Sequence, residues 1–279
     1  VSFVSFVDTT FVCVICGLIS RLEERLLETL TVITATQDPE RYDDFGRATL
    51  DVWPEFMLHS AVSLRLWQHL TLDFPDYQFL LLNAKGQPVA MGNSIPFRYE
   101  GGIADLPDEG WEWVLQKGVD DLAAGREPNM VSALQIKVAT SFQGQGISHE
   151  AVRAMRQVAA AHGFDTLVAP VRPSLKPNYP LIPIERYAFW TRADGLPFDP
   201  WLRVHARLGG EIVRACPKSM RITGTVEEWE AWTGMAFPES GTYTVPGALE
   251  PVEIDRERDV GVYVEPNVWV CHQLSPRED

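Results

Sequence analysis

The sequence predicts an α/β fold of the α+β kind, with helices packed on a mixed sheet. Three observations carry this. Strand-like and helix-like hydrophobic periods follow one another as strand, helix, helix, hairpin, strand, helix, strand, helix, strand. The turn Ala84-Lys85-Gly86-Gln87-Pro88 joins two apolar runs as a hairpin. The apolar run Leu134 to Val138 reads as a buried strand, and a glycine turn and an amphipathic helix follow it at once.

Taken in order, Thr31 to Thr36 alternates like a strand, and Asp38-Pro39 opens a helix with proline in its first turn. Residues 54–71 carry a second helical pattern. Tyr77 to Asn83 and Val89 to Tyr99 are the hairpin strands, the second weakened at its far end by Pro96. Residues 100–130 are rich in Gly, Asp and Trp, with a helix near Glu109 to Leu122. The helix after the glycine turn shows Ile147, Val152, Met155, Val158 and Ala159 on one face. Asp165 to Val171 is the next strand, and prolines punctuate a long loop over 172–200. Asp199 caps a helix over Pro200 to Leu208, which Gly209-Gly210 ends before a strand over Glu211 to Ala215. Thr225 and Glu228 form a capping box for a helix reaching Thr233. The tail adds strands over Gly261 to Val264 and Asn267 to Cys271.

Composition bounds the function. The chain of 279 residues carries a formal net charge of −14, which argues against nucleic acid and anionic membranes, both of which want a basic surface. Cys13 and Cys16 form a lone C-x-x-C without the second pair or the histidine that a zinc site needs. Val1 to Ser20 is apolar, but it lacks the basic start and small-residue cleavage site of a signal peptide, and Asp8 would be costly in a bilayer. It reads as an extension, followed by an amphipathic helix with Leu22, Leu26, Leu27 and Leu30 on one face. The expectation is a cytoplasmic protein in three parts: an N-terminal extension (1–30), a central domain (31–216) and a C-terminal extension (217–279) packed on that domain.

The turn Gln143-Gly144-Gln145-Gly146, between a strand and a helix starting Ile147-Ser148, is built like a phosphate cradle. Glycines let backbone N–H groups approach an anion, and the helix N-terminus adds its dipole. Plain strand-to-helix packing uses such turns too. Val138, Thr140, Gln143, Gly144, Gly146, Ile147 and Ser148 resemble the acyl-CoA signature of the GNAT superfamily of acyltransferases: Arg or Gln, two residues, Gly, one residue, then Gly or Ala. Gln143 lacks the charge of Arg, and Ser148 departs from the small last position. The resemblance covers about residues 31–216, with long loops at 100–130 and 172–200.

The resemblance implies a GNAT-like fold and transfer of an acetyl group from acetyl-CoA, as co-substrate, directly to the amine of a small molecule or protein, without a metal. It implies that Gln143, Gly144, Gln145, Gly146, Ile147 and Ser148 hold the CoA, and that backbone N–H groups near Ile136 and Val138 polarise the acyl carbonyl. It also implies a partner copy, since the family often dimerises. In the family a Tyr commonly protonates the leaving thiolate. His205, in the run His205-Ala206-Arg207-Leu208-Gly209-Gly210, stands at that position, and His titrates near neutrality; an ordinary helix His is the plainer alternative. His272 has no constellation around it. The amine's base is sought among Glu185, Asp194, Asp199, Asp105, Asp108 and Glu109, and an acceptor pocket among Trp111, Trp113, Tyr187 and Trp190. Two other readings stand beside this one. The segment Asp199 to Gly210 is also similar to GNAT-like loading domains that decarboxylate malonyl-CoA and pass acetyl to a carrier thiol. A non-catalytic acyl-CoA-binding protein is the third.

Overall fold

The computed structural model describes residues 30–274; the C-x-x-C pair and the helix expected over 20–30 lie outside the described residues, except for Leu30. Among the described residues nine strands form one mixed sheet: β1 (Thr31–Thr34), β2 (Gln78–Leu82), β3 (Pro88–Phe97), β4 (Met130–Val138), β5 (Thr166–Val171), β6 (Glu211–Gly224), β7 (Gly241–Tyr243), β8 (Val252–Asp255) and β9 (Val260–Gln273). The principal helices are α1 (Pro39–Ala48), α2 (Ala61–Leu66), α3 (His69–Leu72), α4 (Gly110–Ala123), α5 (Ile147–Ala161), α6 (Ile184–Tyr187), α7 (Pro200–Arg207) and α8 (Val226–Thr233). The strands run β1-β2-β3-β4-β5-β9, with β6 on the far side of β9 and β8-β7 continuing beside the start of β9. Among the described strands only β4 and β5 pair in parallel.

The expected caps are present. The Asp38 carboxylate accepts from Arg41 N–H at the start of α1, and Asp199 accepts from Trp201 and Leu202 N–H at the start of α7. The Thr225–Glu228 capping box closes on itself. Such caps contribute about 1 kcal/mol each.

The sheet is covered on both faces. On one, α5 buries Ile147, Ala151, Val152, Ala154, Met155, Val158 and Ala159 against β3 and β4. Each large aliphatic side chain so buried contributes about 1.5–3 kcal/mol. On the other, α4 buries Trp111, Val114 and Leu115 against β3 and β6. The face alternates along each strand: on β9, Val268 and Val270 join the α5 side while Tyr263, Trp269 and Cys271 join the α4 side.

Four elements differ from the sequence expectation. The pattern over 54–71 is broken into a 3-10 turn (Glu55–His59), α2 and α3. Pro96 does not end β3. Beyond Asn93, where β2 stops, β3 has a strand on one side only, and proline is tolerated at such an edge. β6 runs through 216–217 without a break, and the two late strands are one, β9, lying between β5 and β6. Bulges explain the misreading: a register shift between Cys216 and Met220 interrupts the period-2 pattern that a sequence scan follows.

Candidate active site

β4 and β5 pair only through Val131–Leu167 and Ser132–Val168. Beyond that the two strands part, and a cavity of about 1370 Å³ occupies the gap. Its walls come from both faces of the sheet. Phe142, Ile147 and Trp201 belong to the α5 side, and Met57, Trp111 and Met220 to the α4 side. The cavity therefore passes through the sheet.

The free edge of β4 supplies donors. Ala139 N–H donates to Val89 O at 3.0 Å, so Lys137 N–H also faces β3, and by alternation the N–H groups of Val138 and Ile136 face the gap. A bulge between Asn93 and Ser94 in the β3–β4 register leaves Leu134 as the extra residue. Its carbonyl accepts the Trp111 indole N–H at 2.7 Å, on the α4 side.

The glycine turn follows. Gly144 and Gly146 have φ of 75° and 79°, left-handed values that L side chains adopt at a cost. They turn the chain into α5 and leave the N–H groups of Gly144, Gln145, Gly146, Ile147 and Ser148 without a partner among the described residues. The Gln143 amide ties the loop back to Val138 O at 3.2 Å. Ile136, Val138, Gln143, Gly144, Gly146, Ile147 and Ser148 all line the cavity. Gln145 does not; its side chain is exposed and donates to Ser141 O at 3.0 Å.

His205 also lines the cavity, from α7, and is 4% exposed. It is paired: its Nδ1 lies 2.9 Å from His272 Nε2. This corrects the expectation that His272 stands alone. Burial first, and the His272 ring second, push the His205 pKa down to about 3. Burial, then Arg156, pushes His272 down to about 4. Both rings are neutral at neutral pH and share one N–H···N bond, leaving His205 Nε2 without a partner among the described residues.

The glycines after α7 make this pair fit. Gly210 N–H donates to His205 O and Gly209 N–H to Ala206 O, a Schellman closure. A Cβ on Gly210 would stand 2.6 Å from His272 Cε1.

On the α4 side a polar cluster lines the same cavity: Arg172, Glu265 and Asn267. Arg172 Nε donates to both oxygens of Glu265, at 2.9 and 3.0 Å. Tyr263 Oη donates to Glu265 Oε2 at 3.1 Å. Glu265, 2% exposed, is the buried carboxylate among the residues lining the cavity, and sequence reasoning did not single it out. None of the six carboxylates expected as bases lines the cavity. Asp199 is spent on capping α7 and on Tyr187 Oη, and Asp108 on Arg214. Of the four expected pocket aromatics only Trp111 lines the cavity. Tyr187 and Trp190 instead pack with Tyr179 and Phe198, holding the 172–200 loop together, and Trp113 packs on Phe97 and Tyr99.

No protein-family model matches the sequence. Arginine N-acetyltransferase avaD of Aspergillus versicolor is 37% identical over 272 residues, spanning 86% of this chain and 93% of that protein. The chain belongs to the GNAT superfamily. This GNAT protein is an acetyl-CoA-dependent N-acetyltransferase that acts on an amine. Its fold is shared with the loading GNATL domain of CurA from Lyngbya majuscula (TM-score 0.58, 17% identity, 88% of this chain and 98% of that one). It is also shared with the GphF GNAT-like decarboxylase in complex with isobutyryl-CoA (TM-score 0.53, 17% identity, 88% and 100%). Among the described residues no helix is long and apolar enough to cross a membrane.

Proposed function

We propose that this N-acetyltransferase acetylates arginine. The observation that carries the reading is its identity to an arginine N-acetyltransferase along nearly the whole of that protein. The net charge of −14 supports it, since an acidic surface draws in a cationic acceptor.

The geometry supports the following division of labour. The amides of residues 144–148 hold the pyrophosphate of acetyl-CoA, with Gln143 fixing the loop. The free amides of Ile136 and Val138 hold the rest of the cofactor along β4, and an amide on this edge receives the negative charge that develops on the acyl oxygen. The amine attacks the acyl carbon. His205 Nε2 takes the proton that the amine nitrogen loses and returns it to the sulfur as the C–S bond breaks. His272 accepts His205 Nδ1–H and so keeps Nε2 free to accept a proton. No metal enters this scheme, because backbone amides polarise the carbonyl.

The test is CoA release with acetyl-CoA and arginine, with the product identified by mass spectrometry. N-acetylarginine formed in step with CoA is expected. Release no faster with arginine than without it would sink the arginine reading. A parallel arm offers malonyl-CoA: its conversion to acetyl-CoA, lost in His205→Ala, would instead favour decarboxylation, the chemistry of the GNAT-like loading domains.

A further inference from the structure

The polar cluster on the α4 side of the cavity has one property that its partners do not exhaust. Glu265 is saturated. Its oxygens take Arg172 Nε twice and the Tyr263 hydroxyl once, and Asn267 Nδ2 lies 3.5 Å from Oε1. Arg172 is not saturated. Its Nη2 donates to Gly247 O at 2.6 Å, and its Nη1 has no partner among the described residues. The guanidinium lies 6.0 Å from the centroid of the Trp53 ring. Trp53 Nε1 is itself a buried donor without a partner. Both residues line the cavity.

A buried N–H left unpaired costs on the order of 1–3 kcal/mol. An unspent N–H on a cation that lines the cavity, and an unspent indole N–H on the ring beneath that cation, call for a ligand that brings acceptor oxygens. Glu265 has no capacity left for a cationic ligand, and its two bonds to Arg172 Nε hold the guanidinium in place. Arg172 directly follows Val171, the last residue of β5, which places its guanidinium at the lip of the gap between β4 and β5.

We infer that Arg172 and Trp53 form the acceptor's carboxylate site, so that the enzyme selects amines that carry a carboxylate, that is, amino acids over the corresponding decarboxylated amines. This deepens the proposed function and rests on it for arginine as the particular amino acid. Glu265 is a positioning residue: it holds the guanidinium so that Nη1 faces the acceptor.

The experiment compares kcat/KM within matched pairs at saturating acetyl-CoA: arginine against agmatine, lysine against cadaverine, tyrosine against tyramine, with arginine amide as a further control. A charged hydrogen bond predicts roughly tenfold or greater preference for the carboxylate-bearing member, expressed in KM. Arg172→Gln alone strands a buried carboxylate and can unfold the protein. The double variant Arg172→Gln/Glu265→Gln removes both charges together, and Trp53→Phe removes only the N–H. Both should bring the ratio toward one while the KM for acetyl-CoA stays within about twofold. Equal use of the two members of every pair by the wild type, arginine amide used as well as arginine, or a preference that survives in the double variant overturns the inference. A preference seen in the lysine or tyrosine pair with arginine unused keeps the inference and sinks arginine as acceptor. Silence from every amine overturns both.

Discussion

The two ends of the cavity are built by opposite means. The cofactor end is made of backbone amides from one continuous stretch, residues 136–148, where a strand, a glycine turn and a helix follow each other. The acceptor end is made of side chains from Trp53, Arg172 and Glu265, which lie on a short helical turn's flank, the end of β5 and the middle of β9. The difference tracks what each end must bind. A pyrophosphate is the same for every acyl-CoA, and main-chain N–H groups serve it without any particular side chain. An acceptor must be distinguished from its neighbours, and that needs placed side chains and their partners. The His205–His272 pair stands apart from both: one ring comes from a helix that the motif search reaches, the other from the tail.

The comparison can be broken most sharply at His205. His205→Ala should lower kcat by about 10²–10⁴-fold while acetyl-CoA binding, read by calorimetry, stays unchanged. An equal loss in binding would move His205 from proton transfer into cofactor binding. The next effect belongs to the backbone end. Gly146→Val forces a β-branched residue into a φ of 79°, at about 1–2 kcal/mol of stability, and should raise the KM for acetyl-CoA without altering the preference among amines. Unchanged KM in a folded variant would remove the turn from the cofactor site.

The histidine pair makes a prediction about pH. Both folded-state pKa values, about 3 and about 4, lie below the ordinary 6.5. The unfolded chain therefore takes up protons first as pH falls. The stability tied to the neutral rings is complete well above pH 6.5 and is lost progressively between about 6.5 and 3 for His205 and between about 6.5 and 4 for His272. By about pH 5 the loss is on the order of 2 kcal/mol per ring. Urea unfolding at pH 7 and pH 5 measures it, and His205→Gln/His272→Gln should shrink the difference. The same shift places the acid limb of kcat/KM well below 6.5; a limb at 6.5 would mean that the reacting imidazole is not this buried one. The smallest effect is expected at Gly210→Ala. The added Cβ crowds His272 and should loosen the pair, lowering kcat less than His205→Ala does and leaving both KM values in place.

Much of the proposed cofactor end was legible before the structure, because its signal is local. The glycine turn, the apolar strand before it and the amphipathic helix after it are neighbours in sequence, and each obeys a short-range rule. Asp199, Pro200 and Gly209-Gly210 likewise bounded α7 and so placed His205. At Gln145 the side chain points outward to Ser141 O, and only its backbone N–H remains for the proposed cradle.

The sequence by itself determined the alternating α/β plan, the helix caps and the strand, glycine turn and helix that we propose cradle acetyl-CoA, since these follow from period, propensity and turn chemistry within a few residues. Only the tertiary structure decided that the tail enters the sheet as β9 between β5 and β6. That single placement brings His272 to His205 and Glu265 to Arg172. Strand order depends on which apolar edges pair most favourably between segments far apart in the chain, as when Thr166 of β5 pairs with Gln273 of β9. No local pattern carries that information, so the proposed acceptor site appears only once the sheet is assembled.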